Sequence, residues 1–150
     1  MFIGNFTTKV DDKGRIKIPA RFRKELFEVS NGEVIMVMLS RDRINLYPKN
    51  IWEEELVKIS RLDDKKLKKN MLTLISYTVD EFAIDSQGRV GFSQKLKDTF
   101  EIKSGENLSV VGNMDYIYIY KEEYFEKLAE SLMFKDDEYL DNPKLEDLRL

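Results

Sequence analysis

The stretch Val10-Asp11-Asp12-Lys13-Gly14-Arg15-Ile16-Lys17-Ile18-Pro19-Ala20-Arg21-Phe22-Arg23 decides how the rest of the chain reads. Its left half ends an extended run in a polar turn that holds one glycine. Its right half alternates apolar Ile16 and Ile18 with basic Arg15 and Lys17, a period of two that puts the charges on one face of a strand. Pro19 stops that strand, and Phe22 and Leu26 then recur at i, i+4, as the buried side of a short helix does. Across residues 9–24, Lys9, Lys13, Arg15, Lys17, Arg21, Arg23 and Lys24 stand against only Asp11 and Asp12. Such a local cationic surface, built on a turn, a strand and a helix start, suits a phosphate backbone.

The whole chain has the opposite balance. Its 150 residues carry a formal net charge of −3, which argues against a simple basic DNA-coating protein and leaves room for binding through one patch. Negative charge gathers at the far end, where Asp136, Asp137, Glu138, Asp141, Glu146 and Asp147 outnumber Lys135, Lys144 and Arg149. A hydrophobic fraction of 42% with 11% aromatics suffices for a core in one domain or two very small ones. There is no cysteine, which removes disulfides, thiolate metal sites and thiol nucleophiles and fits a reducing cytoplasm. There is no histidine, the commonest general base and metal ligand. No constellation of carboxylates, lysines and tyrosines suggests an enzyme, and no cofactor or metal is expected. The opening Met-Phe-Ile-Gly-Asn-Phe reads as neither a signal peptide nor a membrane span.

Read in order, residues 6–10 form a strand leading into the turn, and residues 16–18 form its expected return partner. A helix follows from about Pro19 to Phe27, with strands at 34–39 and 44–47 closed by Pro48. Helical spacing then places Trp52, Leu56 and Ile59 on one face, and Leu67, Met71 and Leu74 on another after Asp63 or Asp64 as N-cap. Lys65, Lys66, Lys68 and Lys69 in this second helix form either a solvated polar face or an auxiliary phosphate contact. The beginning then returns. Asp85-Ser86-Gln87-Gly88-Arg89-Val90-Gly91-Phe92 echoes residues 11–18, and Leu96 and Phe100 match Phe22 and Leu26. Phe100-Glu101-Ile102 followed by Gly105-Glu106 mirrors Phe27-Glu28-Val29 followed by Gly32-Glu33, which places a one-residue deletion between these matches. Asp115, Ile117, Ile119 and Tyr120 answer Asp42, Ile44, Leu46 and Tyr47, and Phe125 answers Trp52. The chain is a tandem duplication. A unit of this size buries too little apolar surface alone, so two copies are expected to interleave around one core. Phe125, Leu128, Ala129 and Leu132 form a last helical stripe, expected to be packing.

The two Asp-x-x-Gly-Arg turns, the first extended to Asp-x-Lys-Gly-Arg-Ile-x-Ile-Pro-x-x-Phe-Arg, resemble the MraZ family, as do the opening Met-Phe-x-Gly and the length. That family belongs to the SpoVT/AbrB swapped-hairpin group. The resemblance implies an α+β fold in which two tandem AbrB-like units form a pseudo-twofold β-barrel module with linking and C-terminal helices. The units would span residues 5–47 and 76–119, with a helical connector over 48–75 and a C-terminal helix and acidic tail over 120–150. It further implies a transcriptional regulator of the cytoplasm and nucleoid, binding short repeats of double-stranded DNA in the promoter of its own division and cell-wall operon. Family members assemble as rings. Exposed strand edges and the helices of residues 51–74 are the candidate surfaces for that self-association.

Carried over, the family's Asp-x-x-x-Arg element falls on Asp11 and Arg15, and again on Asp85 and Arg89. The second copy has Gln87 for Lys13, Gly91 for Lys17, Ser93 for Pro19, and Lys95 and Lys97 for Arg21 and Arg23, so its turn carries less charge. Arg15 is the first candidate for DNA contact, since a guanidinium can bond guanine or phosphate in bidentate fashion; the alternative is an internal pair with Asp11, and the two are compatible. Arg89 is a weaker candidate. Lys13, Lys17, Arg21 and Arg23 are read as phosphate-positioning groups or as plain surface charge. Asp11, Asp85, Gly14 and Gly88 are expected to shape the turns, the glycines at positive φ. A competing reading makes the chain an antitoxin-like module that binds a partner protein through its acidic tail.

Overall fold

The computed structural model describes residues 1–133 and 139–150. Phe134, Lys135, Asp136, Asp137 and Glu138, which include part of the acidic closing segment, lie outside the described residues. The first copy supplies β1 (Asn5–Lys9), β2 (Ile16–Lys17), α1 (Ala20–Ser30), β3 (Glu33–Ser40), β4 (Arg43–Pro48) and α2 (Lys49–Ser60). The connector helix α3 (Lys65–Thr78) follows, and its first turn is capped by the Asp64 carboxylate, which accepts the Leu67 N–H at 2.9 Å. The second copy repeats the series as β5 (Asp80–Ala83), β6 (Arg89–Val90), α4 (Gln94–Thr99), β7 (Asn107–Asn113), β8 (Tyr116–Lys121) and α5 (Glu122–Met133). A one-turn helix, Pro143–Leu145, lies near the end. None of the helices among the described residues is long and apolar enough to cross a membrane.

The strands do not pair within their own copy where the sequence suggested. β2 was expected to return against β1; instead β1 pairs antiparallel with β7, and β2 pairs with β6. By the same exchange β5 pairs with β3. The six-stranded sheet therefore runs β1-β7-β8-β4-β3-β5, and β2-β6 forms a separate two-stranded ribbon. The α+β class is as expected, with antiparallel sheet and mixed helices. The hydrogen-bonded strands, however, form an open sheet and a ribbon, with no closed barrel among the described residues. Reciprocal pairing makes a pseudo-twofold axis. It passes between Asn45 and Tyr118 in the β4–β8 pair and between Ile16 and Val90 in the ribbon.

Register also relocates the deletion. Val10 N–H bonds the Glu106 carbonyl at 2.9 Å, and Ile84 N–H bonds the Gly32 carbonyl at 3.0 Å. Gly32 is thus the counterpart of Glu106, so the two copies remain in step past the first helix, contrary to the sequence match on Gly105. The extra residue of the first copy sits in β3, where the register against β4 shifts between Val37 and Ser40 as at a β-bulge. The helix-to-strand stretch misled because α1 winds one turn further than α4 over the same number of residues.

Alternation along β3 divides the interior into two clusters. Val34 and Met36 face a core shared with Ile16, Ile18, Phe22, Leu26, Ile44 and Leu46 of one copy and Val90, Leu96, Phe100, Leu108, Val110, Ile117 and Ile119 of the other. Ile35 and Val37 face the opposite side and pack with Tyr47, Trp52 and Ile75 beneath α2 and α3. The ribbon lies over the first face and α3 over the second. Phe22 is the pivot of the shared core, with Phe2 and Phe6 edge-on at 5.4 and 5.1 Å. Because one core serves both copies, unfolding in denaturant should be a single transition, with Trp52 fluorescence and far-ultraviolet circular dichroism coincident. Phe22→Ala should lower its free energy by about 3–5 kcal/mol. Two separated transitions would contradict a shared core.

Candidate nucleic-acid interface

The two Asp-x-x-Gly-Arg turns close in the same way. Asp11 Oδ1 accepts the backbone N–H groups of Lys13 and Arg15, each at 2.9 Å, while Oδ2 accepts Arg15 Nε at 2.9 Å. Asp85 Oδ1 accepts Gln87 N–H at 2.9 Å and Arg89 N–H at 2.8 Å, and Oδ2 accepts Arg89 Nε at 2.8 Å. Behind each carboxylate a backbone pair completes the loop: Asp11 N–H to the Arg15 carbonyl at 2.9 Å, and Asp85 N–H to the Arg89 carbonyl at 3.0 Å. A short carboxylate that accepts several N–H groups is what an Asp offers at a turn. Gly14 and Gly88 take φ of 72° and 78°, as the turn reading required.

The same contacts set the protonation of the carboxylates. The Arg15 backbone N–H, together with its side chain and the Lys13 N–H, holds Asp11 below its ordinary value, and the Arg89 backbone N–H does the same most strongly for Asp85.

Asp11 thus pairs with Arg15 without consuming it. Nε is engaged, and among the described residues the two terminal nitrogens of Arg15 make no hydrogen bond. The carboxylate orients the guanidinium plane. In the ribbon, Ile16 and Val90 face each other and are buried, whereas Lys17 stands opposite Arg89 with its side chain exposed. Asp85 offsets the charge of Arg89, whereas Lys17 makes no ion pair among the described residues. Lys17 N–H reaches Thr8 Oγ1 at 3.3 Å, tying the ribbon to β1. Lys13 lies exposed in the first turn.

The helix cations divide. Arg23 Nη1 donates to the Gln87 carbonyl at 3.2 Å, so it crosses from the first copy to cover the second turn. Lys97 makes the reciprocal crossing: a Cβ at Gly14 would lie 2.9 Å from Lys97 Nζ. Lys97 is not among the site residues expected from sequence; its match to Arg23 in the repeat is the signal that marks it. Arg21 stays outside the group. It bonds the Ile3 carbonyl and lies 5.4 Å over the Phe6 ring and 5.7 Å over that of Phe22, fixing the amino-terminal segment. Ser93, in the place of Pro19, caps α4 by accepting the Leu96 N–H at 3.2 Å. Lys65, Lys66, Lys68 and Lys69 stand on α3, which packs through Ile75 on the sheet face opposite the ribbon.

One two-stranded ribbon laid over two intertwined copies makes this an internally duplicated α+β protein, and comparison places it in a family. Residues 1–75 match the family described as "MraZ protein, putative antitoxin-like". The Transcriptional regulator MraZ of Corynebacterium jeikeium is 34% identical over 148 residues, covering 93% of this chain and 97% of the relative. That of Koribacter versatilis is 32% identical, covering 89% and 91%. That of Chlorobium phaeobacteroides is 41% identical over 99 residues, 63% of this chain and 67% of its own. The chain belongs to the MraZ family, whose members carry the name of transcriptional regulators.

Two outcomes follow for the turns. Carboxyl resonances of Asp11 and Asp85 should titrate with midpoints below the ordinary 3.8. Since these values are depressed on folding, the stabilisation they bring is complete above the unfolded value, about 3.9, and disappears as pH falls through the folded one. The turns should therefore be insensitive to pH between about 5 and 8 on this account, and a titration step of Asp11 in that window would contradict it. Gly14→Ala should cost about 1–2 kcal/mol in thermal or chemical melts from the left-handed backbone alone, with Lys97 displaced in addition.

Proposed function

We propose that the chain regulates transcription by laying the ribbon and its two turns on duplex DNA, at short direct repeats in the promoter of its own cell-division and cell-wall operon. The observation that carries this reading is the exposed Lys17 held in register against Arg89, beside an Arg15 whose Nε alone is bound to Asp11. An anion between these groups gives Lys17 and the outer nitrogens of Arg15 a partner that, among the described residues, the free protein does not supply. Arg15 reads bases or grips phosphate from a fixed plane. Lys13, Lys17, Arg23 and Lys97 set register on the backbone, and Arg89 acts as the weaker counterpart of Arg15. Arg21 contributes through the fold rather than through contact. Residues 5–47 and 76–119 are the two units that present this face, 48–75 join them, and 120–150 lie beyond it. Each module brings few cations, so a ring-shaped homo-oligomer that presents several ribbons to repeated sites gains through effective concentration. The working compartment in this reading is the cytoplasm, at the nucleoid.

Mobility shift on a promoter fragment carrying the repeats tests it. Affinity should fall steeply with salt, and Lys17→Ala should reduce the slope of log K against log salt by about 0.9 per ribbon engaged. Arg15→Ala should weaken binding by about 10-fold or more per site, the weight of one bidentate contact, with the circular dichroism spectrum unchanged. Binding indifferent to both salt and Arg15→Ala would contradict the reading and favour a protein partner.

A further inference from the structure

An extended segment seals one end of the first copy. The Gly4 carbonyl accepts the Gly112 N–H at 2.8 Å. Two residues further out, Phe2 exchanges both backbone hydrogen bonds with Met114 of the β7–β8 hairpin, at 2.6 and 2.9 Å. The Phe2 side chain is 2% exposed and lies edge-on to Phe22, while Arg21 of α1 donates to the Ile3 carbonyl. A strand edge, an apolar seat and a cation hold three residues of extended chain.

The pseudo-equivalent edge is met differently. Thr78 stands in the place of Gly4, and its Oγ1 accepts the Met38 N–H at 2.8 Å, so the two copies match up to that point. Beyond it the chain is the last turn of α3 rather than an extended segment. A helix rises about 1.5 Å per residue against about 3.3 Å for a strand, so α3 cannot follow the β3–β4 hairpin outward as residues 1–4 follow its counterpart. A cavity of about 860 Å³ opens beside that hairpin, a volume in the range of ligand pockets. Buried Met38 and Phe100 form its floor, and exposed Leu74, Tyr77 and Tyr124 its apolar walls. On its rim Lys95, the counterpart of Arg21, lies 4.4 Å over the Tyr77 ring and makes no ion pair among the described residues.

We infer that this cavity is the docking site for an extended segment of a different protein, one that carries an aromatic side chain. The occupant's chemistry is read from the other half of the molecule, where the matching place takes Phe2 on an extended backbone. In the second copy the guest ring rests on Met38 and Phe100 between Leu74 and Tyr124. Lys95 leaves the Tyr77 ring to donate to a guest carbonyl, as Arg21 donates to that of Ile3. Met38 stands where Gly112 makes room for the Phe2 backbone, so the guest lies further out than Phe2, as suits a partner that comes and goes. The cavity shares no residue with the proposed DNA face, so the site stands independently of the proposed function.

A blocked peptide copying the first segment, acetyl-Met-Phe-Ile-Gly-Asn-amide with fluorescein on an added carboxy-terminal lysine, tests the site against the full chain. Its anisotropy should rise and saturate, and replacing its Phe by Ala should weaken binding about 10-fold or more, the weight of one buried aromatic ring. Leu74→Lys and Lys95→Glu, both at exposed positions, should each weaken it about 5-fold or more with circular dichroism and melting unchanged. No saturable binding, equal binding of the Ala peptide, or indifference to both substitutions would overturn the inference. Displacement of the peptide by N-acetylphenylalaninamide at the peptide's own concentration would overturn it in favour of a small aromatic ligand. Light scattering closes the remaining route: a lower particle mass in either folded variant would make the cavity a contact between copies and overturn the inference as well.

Discussion

Everything in this fold depends on an exchange of strands. β1 lends its hydrogen bonds to β7 and β5 lends its own to β3, so neither copy closes a sheet with its own first strand. The apolar faces follow the backbone. Ile16, Ile18 and Phe22 are covered by a core that the second copy helps to build, and Val90, Leu96 and Phe100 by one that the first copy helps to build. Burial rather than local propensity is what holds β2 and β6, two residues each, in extended form, since a lone ribbon of that length has no independent stability in water.

The exchange also creates the proposed DNA face. Because β2 and β6 pair with each other, their turns emerge side by side, and the cations of both copies are brought to one place. Arg23 and Lys97 cross the axis to cover each other's turns, so neither copy would present the same surface alone. In the proposed function Asp11 and Asp85 supply order rather than contact: each carboxylate ties two backbone N–H groups and one guanidinium Nε, and among the described residues the outer nitrogens of the two arginines make no hydrogen bond. A net negative chain can carry such a face because its positive charge is arranged, not abundant.

Much of this was legible in the residues. Repeated Asp-x-x-Gly-Arg signals disclose the duplication, Asp63 or Asp64 the cap of α3, which falls to Asp64, and the alternation of Arg15, Ile16, Lys17 and Ile18 a two-faced strand. What was not legible has physical causes. Pairing partners are chosen by the shared core, which no local pattern records, so residues 16–18 were read as returning on residues 6–10. The one-residue difference was assigned to the helix end because Gly32 and Gly105 look alike, yet an exposed loop absorbs such a likeness while the β3 bulge absorbs the residue. Arg21 and Arg23 are near neighbours of one type, and only tertiary contact separates the arginine that stacks on Phe6 from the one that reaches Gln87.

Hydrogen exchange of the full chain, with and without a duplex carrying the promoter repeats, bears most directly on the central claim. The account predicts that DNA slows exchange in residues 11–18 and 85–91 together, at the turns and the ribbon. Protection confined to the α2–α3 face, or no protection of either turn under conditions where the duplex is bound, would contradict it.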